Sequence, residues 1–333
     1  MKILRTFLKL LKKTYKSWIS NDPFAQSAVI AYYTLFSLPS LLIIIVSIAG
    51  YFFGRDAVQG RITDQIADFI GTNAALAIEN MISNAALNNN STFAVIFGIA
   101  MLLFGATGVF FQLKKAMNNI WNVASRKDTF LGMIIDRIIS FGMVLVLGFL
   151  MLLTLLISTL IKILGDYIKS SAPVLTSITL EVINYLISFF FITALFAAIF
   201  KLLPDIKIRW KVTLLGAALT TILFLIGEFL ISFYFGKSNP GSVYGGASSV
   251  VLILLWVNYS CLILFFGAEF TVQYSLHIKE RITPNQFSEP AIYQEMEKLR
   301  IKKAKLEENQ KVLERLKSNF DYEDENEESK SSD

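Results

Sequence analysis

Apolar residues in this chain come in blocks of twenty or more, and no other feature of the sequence narrows the choice of fold so far. A block of that length matches the roughly 30 Å hydrocarbon core of a bilayer at about 1.5 Å of helix per residue. Lipid offers no partner to a backbone N–H or C=O, so a spanning segment must be a helix or part of a closed barrel. Barrel strands alternate apolar and polar residues over about ten positions, which these blocks do not do. With 54% hydrophobic and 17% charged residues among 333, the chain is also more apolar than a soluble domain of its size. The expected fold is therefore all-α, a polytopic membrane protein with a six-transmembrane-helix bundle. Its spans are read at Ser27 to Phe53, Thr92 to Phe111, Ile138 to Leu164, Leu180 to Leu203, Val212 to Phe235 and Ser249 to Tyr274.

Orientation follows from the Lys and Arg residues between the blocks. Six lie in the N-terminal arm, then two (Arg55, Arg61), five (Lys114, Lys115, Arg126, Lys127, Arg137), one (Lys169), three (Lys207, Arg209, Lys211) and one (Lys237), before a basic tail. High and low counts alternate, so the positive-inside rule puts both termini in the cytoplasm and the protein in a bacterial inner membrane. An odd number of spans breaks this alternation.

Four regions result: an interfacial helix over 1–20, the membrane domain over 21–278, a charged cytoplasmic helix over 279–320 and an acidic tail over 321–333. In the first, Lys2, Arg5, Lys9, Lys12, Lys13 and Lys16 surround an apolar stripe of Ile3, Leu4, Phe7, Leu8, Leu11, Tyr15 and Trp18. That pattern describes an amphipathic helix on an anionic inner leaflet, with Lys12 and Lys13 at the headgroups. A signal peptide is the competing reading, but lysines interrupt the apolar stretch and no small-residue cleavage site follows. The outer loop from Gly54 to Ser91 repeats Ile62, Ile66, Phe69 and Ile70 at helical spacing, which fits a packed external cap or a lid. Near the C-terminus, Leu299, Leu306, Leu313 and Phe320 recur every seven residues. Their companion heptad positions are mostly Lys, Asn and Gln, so a solvated single helix is expected rather than a coiled coil. The tail DYEDENEESKSSD carries almost no aliphatic residue and is expected to be disordered.

Ionisable residues inside the spans cost a few kcal/mol each even on lenient insertion scales, which makes them functional candidates. Glu228 lies in span five and Glu269 in span six. Asn258 precedes Glu269 by eleven residues, which at 100° per residue returns to within about 20° of the same helix face. Depth along the helices puts Asn258 and Glu228 at comparable levels. These three residues form either a substrate path or ion-coupling site, or a set of interhelical hydrogen bonds that fixes the bundle.

Gating elements are sought where the helix must break. Pro39 interrupts span one after Tyr32, Tyr33, Thr34 and Ser37, and suits a hinge or a static bend. Between spans five and six, GKSNPGSVYGGASS brings Gly241, Gly245 and Gly246 beside Pro240, a stretch expected to leave the helix as a re-entrant turn or an external one. After span two, Trp121 is expected at headgroup level, with Lys114 and Lys115 near lipid phosphates. Small residues such as Gly98, Gly105 and Gly216 serve contacts within a chain or between copies equally well, so a homo-oligomer and an envelope protein partner both stay open.

The sequence calls for no cofactor and no metal. Its one cysteine, Cys261, sits in an apolar block, and its one histidine, His277, lies beyond the last span. A metal-dependent nuclease needs several His and Asp ligands, and the basic arm with its apolar stripe suits phospholipid better than nucleic acid.

Four stretches resemble a known family: AYYTLFSLPSLLIIIVSIAGYFFG (Ala31 to Gly54), GVFFQLKKAMNNIWNV (Gly108 to Val123), LPD (Leu203 to Asp205) and YGGASSVVLILLWVNYSCLILFFGAEF (Tyr244 to Phe270). They look like the YihY/BrkB family of bacterial inner-membrane proteins, over about residues 15 to 280. The resemblance implies six spans. It also implies a link to serum resistance and to transport of ions or lipid-like solutes, and it carries an older ribonuclease label that the single histidine argues against. Three classes follow: a transporter or flippase for an ion or an anionic, amphipathic solute; a non-enzymatic scaffold for envelope partners; and an enzyme acting on lipid.

Overall fold

The computed structural model describes residues 2–37, 60, 76, 79, 108–125, 173–238, 248–285 and 288–330. In chain order these form α1 (Lys2–Ser20), α2 (23–37), α3 (108–120), β1 (Val123–Ser125), α4 (Pro173–Leu202), β2 (Ile206–Lys207), α5 (Trp210–Ser238), α6 (Ser248–His277), β3 (Thr283–Pro284), β4 (Ser288–Pro290) and α7 (Ala291–Lys330). Three of the helices, over Tyr185–Leu202, Trp210–Ile231 and Val250–His277, are long and apolar enough to cross a membrane. They correspond to the last three spans expected from sequence. Most of the first three, with Pro39, all of the Gly54 to Ser91 loop except Gly60, Leu76 and Glu79, and Gly241, Gly245 and Gly246, lies outside the described residues.

α5 packs against both α4 and α6, and the seam with α6 has a simple chemical basis. A side chain on Gly216 would collide with Thr271, one on Gly267 with Thr220, and one on Gly227 with Tyr259. The pairs 216/271, 220/267 and 227/259 run in opposite senses, so the helices are antiparallel. Each helix offers a glycine where the other offers a threonine, and the backbones approach closely. Lipid tails are as apolar as leucine, so association in a membrane depends on such close packing rather than on a hydrophobic drive. The threonines spend their hydroxyls within their own helices: Thr220 donates to the Gly216 carbonyl at 2.7 Å and Thr271 to that of Gly267 at 2.7 Å. Between α4 and α5 the hydroxyls of Thr193 and Thr221 meet at 3.0 Å.

The segments after α3, α4 and α6 gather at one end of the bundle. β1 pairs antiparallel with β4, Ala124 opposite Glu289, and β2 with β3, Ile206 opposite Pro284. α3 stops because Asn122 takes a left-handed conformation (φ 53°), which asparagine tolerates better than most residues. The Asn122 carbonyl then accepts from the Ala291 N–H at 3.0 Å, tying this turn to the start of α7.

α1 crosses α6 steeply. Phe7 meets Phe270, Trp18 meets Phe266, and Asn21 reaches Glu269. These contacts stretch over fifteen residues of the N-terminal segment, Phe7 to Asn21, but over five of α6, Phe266 to Phe270, some 20 Å of chain against some 6 Å. Leu10 and Thr14 are buried on the packed side, whereas Leu4, Leu8, Tyr15 and Ile19 are exposed.

Two boundaries differ from the sequence-based expectation. α5 continues through Gly236 and Lys237 to Ser238, because one glycine lowers helix stability by only about 1 kcal/mol. α7 runs to Lys330, ten residues past the expected limit at 320, since the glutamates that make the tail look disordered by composition are also good helix formers.

Candidate functional site

Polar groups converge at two places. In the cap, formed by the β1–β4 and β2–β3 pairs at one end of the bundle, Pro204 follows the end of α4 and Asp205 is turned inward, 5% exposed. Lys114 approaches its Oδ2 at 3.0 Å, and the Asn118 amide donates to the same oxygen at 3.0 Å and the Ser125 hydroxyl at 3.2 Å. The Asn285 amide donates to Oδ1 at 3.2 Å. The backbone is bound as well. The Asp205 N–H donates to Asn118 Oδ1 at 2.9 Å, and the Asp205 carbonyl accepts from the Ser288 hydroxyl at 2.6 Å. Asp205 therefore holds three chain segments together, with both carboxylate oxygens satisfied. A second link joins the Arg209 N–H to Glu280 at 3.1 Å.

The other polar place lies where α1 and α2 meet α6. Glu269 is 1% exposed. Its Oε1 accepts from the side-chain amide of Asn21, and the Ser17 hydroxyl faces the same carboxylate. Among the described residues no donor stands in hydrogen-bond geometry to its Oε2, and no acceptor to the indole N–H of Trp18. Both residues line a tight crevice, without room for a water molecule, completed by Asn21, Pro23, Gln26, Ile120 and Phe265. The α1–α2 turn places these groups. Asp22 adopts φ 48°, and Pro23 starts α2, where its missing N–H costs nothing. Gln26 folds back to donate to the Asn21 carbonyl at 2.7 Å.

Glu228 and Asn258 sit apart from this crevice. The antiparallel register brings Glu228 level with Asn258 and Tyr259. Glu228 and Asn258 are half-buried. Eleven residues of α6, about 16 Å, separate this level from Glu269.

Of the basic and aromatic residues expected at headgroups, Lys12, Lys13 and Lys115 are exposed. Lys114 and Trp121 are not. Lys114 is turned inward to Asp205, and Trp121 is 5% exposed within the apolar core. Both follow from the same cause: the strand pairing of β1 folds the end of α3 under the cap, away from the surface. Asp205 was missed as a site residue because it lies in a short polar loop. The LPD triplet was its only local signal, and its partners stand 80 to 91 positions away or follow the last span. Among the described residues no group of three His, Cys, Asp or Glu side chains is placed to hold a metal ion.

A family model described as virulence factor BrkB matches residues 14–291. The putative ribonuclease-like protein YfkH of Bacillus subtilis is 24% identical over 281 residues, covering 83% of this chain and 98% of the relative. A UPF0761 membrane protein, MS0032, of Mannheimia succiniciproducens is 23% identical over 272 residues, covering 81% and 91%. A third relative, the UPF0761 membrane protein NTHI0384 of Haemophilus influenzae, is 23% identical over 260 residues, covering 77% and 91%. No solved structure matches the chain.

Proposed function

The chain belongs to the virulence factor BrkB family of membrane proteins, and from that premise we propose that it moves an ion or an anionic or amphipathic, lipid-like solute across the bacterial inner membrane. The observation that carries this reading is Glu269, a carboxylate 1% exposed in an apolar helix, with one oxygen outside hydrogen-bond geometry of any described donor, in a tight crevice. Among the described residues no cation lies within ion-pair distance of it. An uncompensated buried charge costs several kcal/mol, so such a group is kept for what it binds. Glu228 and Asn258, one level further along the α5–α6 seam, extend the path. Lys12, Lys13 and Lys115 meet lipid headgroups, and Pro39 with Gly241, Gly245 and Gly246 forms the moving parts. In this reading both termini are cytoplasmic, six helices span the membrane, and the protein is not an enzyme. The ribonuclease-like name of one relative finds no support in a chain whose single histidine, His277, is exposed at the end of α6.

The test is reconstitution in vesicles of wild type, Glu228→Gln and Glu269→Gln, assayed against a panel of ions and labelled lipids. Wild type should move at least one of them, and the variants should lose that flux while remaining folded. Equal flux in all three proteins would end the carboxylate mechanism. A second reading, a scaffold for envelope partners, is favoured by α7, forty residues long and exposed along its described side chains.

A further inference from the structure

We propose that α7 pairs antiparallel with α7 of a second copy of this chain, the basic run over 298–305 of each helix lying along the acidic run over 321–328 of the other. The inference does not rest on transport, and a chain that moves nothing still forms the pair.

Charge is sorted along α7. Lys298, Arg300, Lys302, Lys303 and Lys305 have no acid among them, and Asp321, Glu323, Asp324, Glu325, Glu327 and Glu328 have no base among them. Both runs belong to one continuous helix, Ala291–Lys330, which holds them at least sixteen residues, roughly 24 Å, apart. They do not meet within one chain. Their order is also unfavourable for a helix standing alone, because the macrodipole disfavours negative charge near a C-terminus and α7 ends among acids. An antiparallel copy answers both points by bringing each acidic end beside a basic segment.

Register follows from the charges. A pair centred on Leu313 sets Lys298 opposite Glu328, Lys302 opposite Asp324, Lys303 opposite Glu323 and Lys305 opposite Asp321. The same centre sets Leu306 opposite Phe320 and Leu313 opposite its own copy, so the apolar series at seven-residue spacing supplies the seam. Lys311 and Arg315 meet as like charges in this register, with Glu314 beside them. A parallel pair fares worse, because it sets each run against its like. The surface is therefore self-complementary, as a two-fold interface requires. It is also free: every side chain from Glu295 to Leu313 is exposed, Leu299, Leu306 and Leu313 among them. Of the five bases, only Lys303 has a carboxylate partner among the described residues, Glu307 at 3.9 Å. Two copies in one membrane share an axis along its normal, so the paired helices lie side by side across the membrane face. About 33 Å of α7 then separates each cap from the axis.

The test is the mass of the full chain in detergent micelles at micromolar concentration, measured by light scattering. Wild type should be a dimer, and truncation after Lys298 should give a monomer. Lys302→Glu, Lys303→Glu and Lys305→Glu in one chain should weaken the dimer roughly tenfold or more, the scale of several exposed ion pairs acting together. Salt at about 1 M, where the Debye length is about 3 Å, should weaken the wild-type dimer as well. Adding Asp321→Lys, Glu323→Lys and Asp324→Lys to the triple variant should restore the pair, since the exchange leaves opposite charges facing. Monomeric wild type would overturn the proposal. So would a dimer that survives the truncation, which would put the contact in the membrane domain. Failure of the exchanged chain to recover would overturn the antiparallel register. A monomer that binds phosphatidylglycerol vesicles through the basic run would put lipid where the second copy is placed, and would overturn it too.

Discussion

At Asp205 a single carboxylate takes hydrogen bonds from two asparagine amides and a serine hydroxyl and pairs with Lys114, so its removal takes the paired carboxylate from a buried ammonium and the acceptor from three donors. Breaking one side of a buried pair typically costs 3–5 kcal/mol, whereas replacing both partners with apolar groups is often neutral. Asp205→Ala should therefore lower stability in detergent by about 3 kcal/mol or more. Adding Lys114→Met should recover part of that loss, and thermal unfolding of the two variants checks it. A further decrease in the double variant would mean that the charge on Lys114 is held elsewhere. Glu269 is a different case. Glutamine at 269 still offers an oxygen to Asn21, so Glu269→Gln should unfold within about 1 kcal/mol of wild type, which keeps it usable in the flux assay. At this scale the sequence was legible in part. A carboxylate in an apolar block announces itself, and both glutamates were singled out as candidates that way. Asp205 was not, because a charged residue in a short loop looks solvated until partners from distant segments close over it.

Among the elements, the α5–α6 seam makes the sharpest demand on sequence. Gly216→Ala puts a methyl onto the Thr271 side chain, whose Cβ would be 3.0 Å away, and overpacking of this kind costs about 1–3 kcal/mol. Thr271→Ala on the same chain removes the obstructing hydroxyl and should restore much of the loss; detergent-unfolding curves of single and double variants measure it. Failure of the second substitution to help would mean that the helices meet differently. α7 has the opposite character. Its Lys303–Glu307 pair, 3.9 Å apart, joins two exposed side chains and contributes a few tenths of a kcal/mol at most. Only its first turns touch the cap, where Gln294 donates to the Ser125 carbonyl at 2.7 Å. Truncation after Lys298 should leave the melting temperature unchanged, and a marked drop would show that the distal helix packs on the membrane domain. Hydropathy picked out the same three stretches that form the long apolar helices α4, α5 and α6. It misplaced the ends of α5 and α7, where the choice rests on differences of about 1 kcal/mol per residue.

Over the whole molecule, the sole cysteine provides a reporter. Cys261 is buried in the core of α6, so a membrane-permeant maleimide should label it slowly in wild type. Deleting residues 2–20 uncovers Phe266 and Phe270, which at 100° per residue lie about 140° and 180° round α6 from Cys261, so labelling should stay slow; faster labelling would mean that α1 holds the rest of the bundle together. Reporter fusions in the Gly54 to Ser91 loop should report the side opposite both termini, and a fusion found with them would reverse the orientation. The sequence by itself determined that this chain is helical and lives in a membrane, because apolar length and the alternation of Lys and Arg are local quantities that lipid and the charge rule act on directly. Only the tertiary structure decided which polar residues meet. Asp205 gains its partners from positions 114, 118, 125 and 285, and Glu269 gains Asn21 across 248 positions. Helical periodicity says which way a residue faces, but it says nothing of the neighbour it will find there. That neighbour is set by how the helices cross, through glycines that admit a threonine and turns that carry a loop inward.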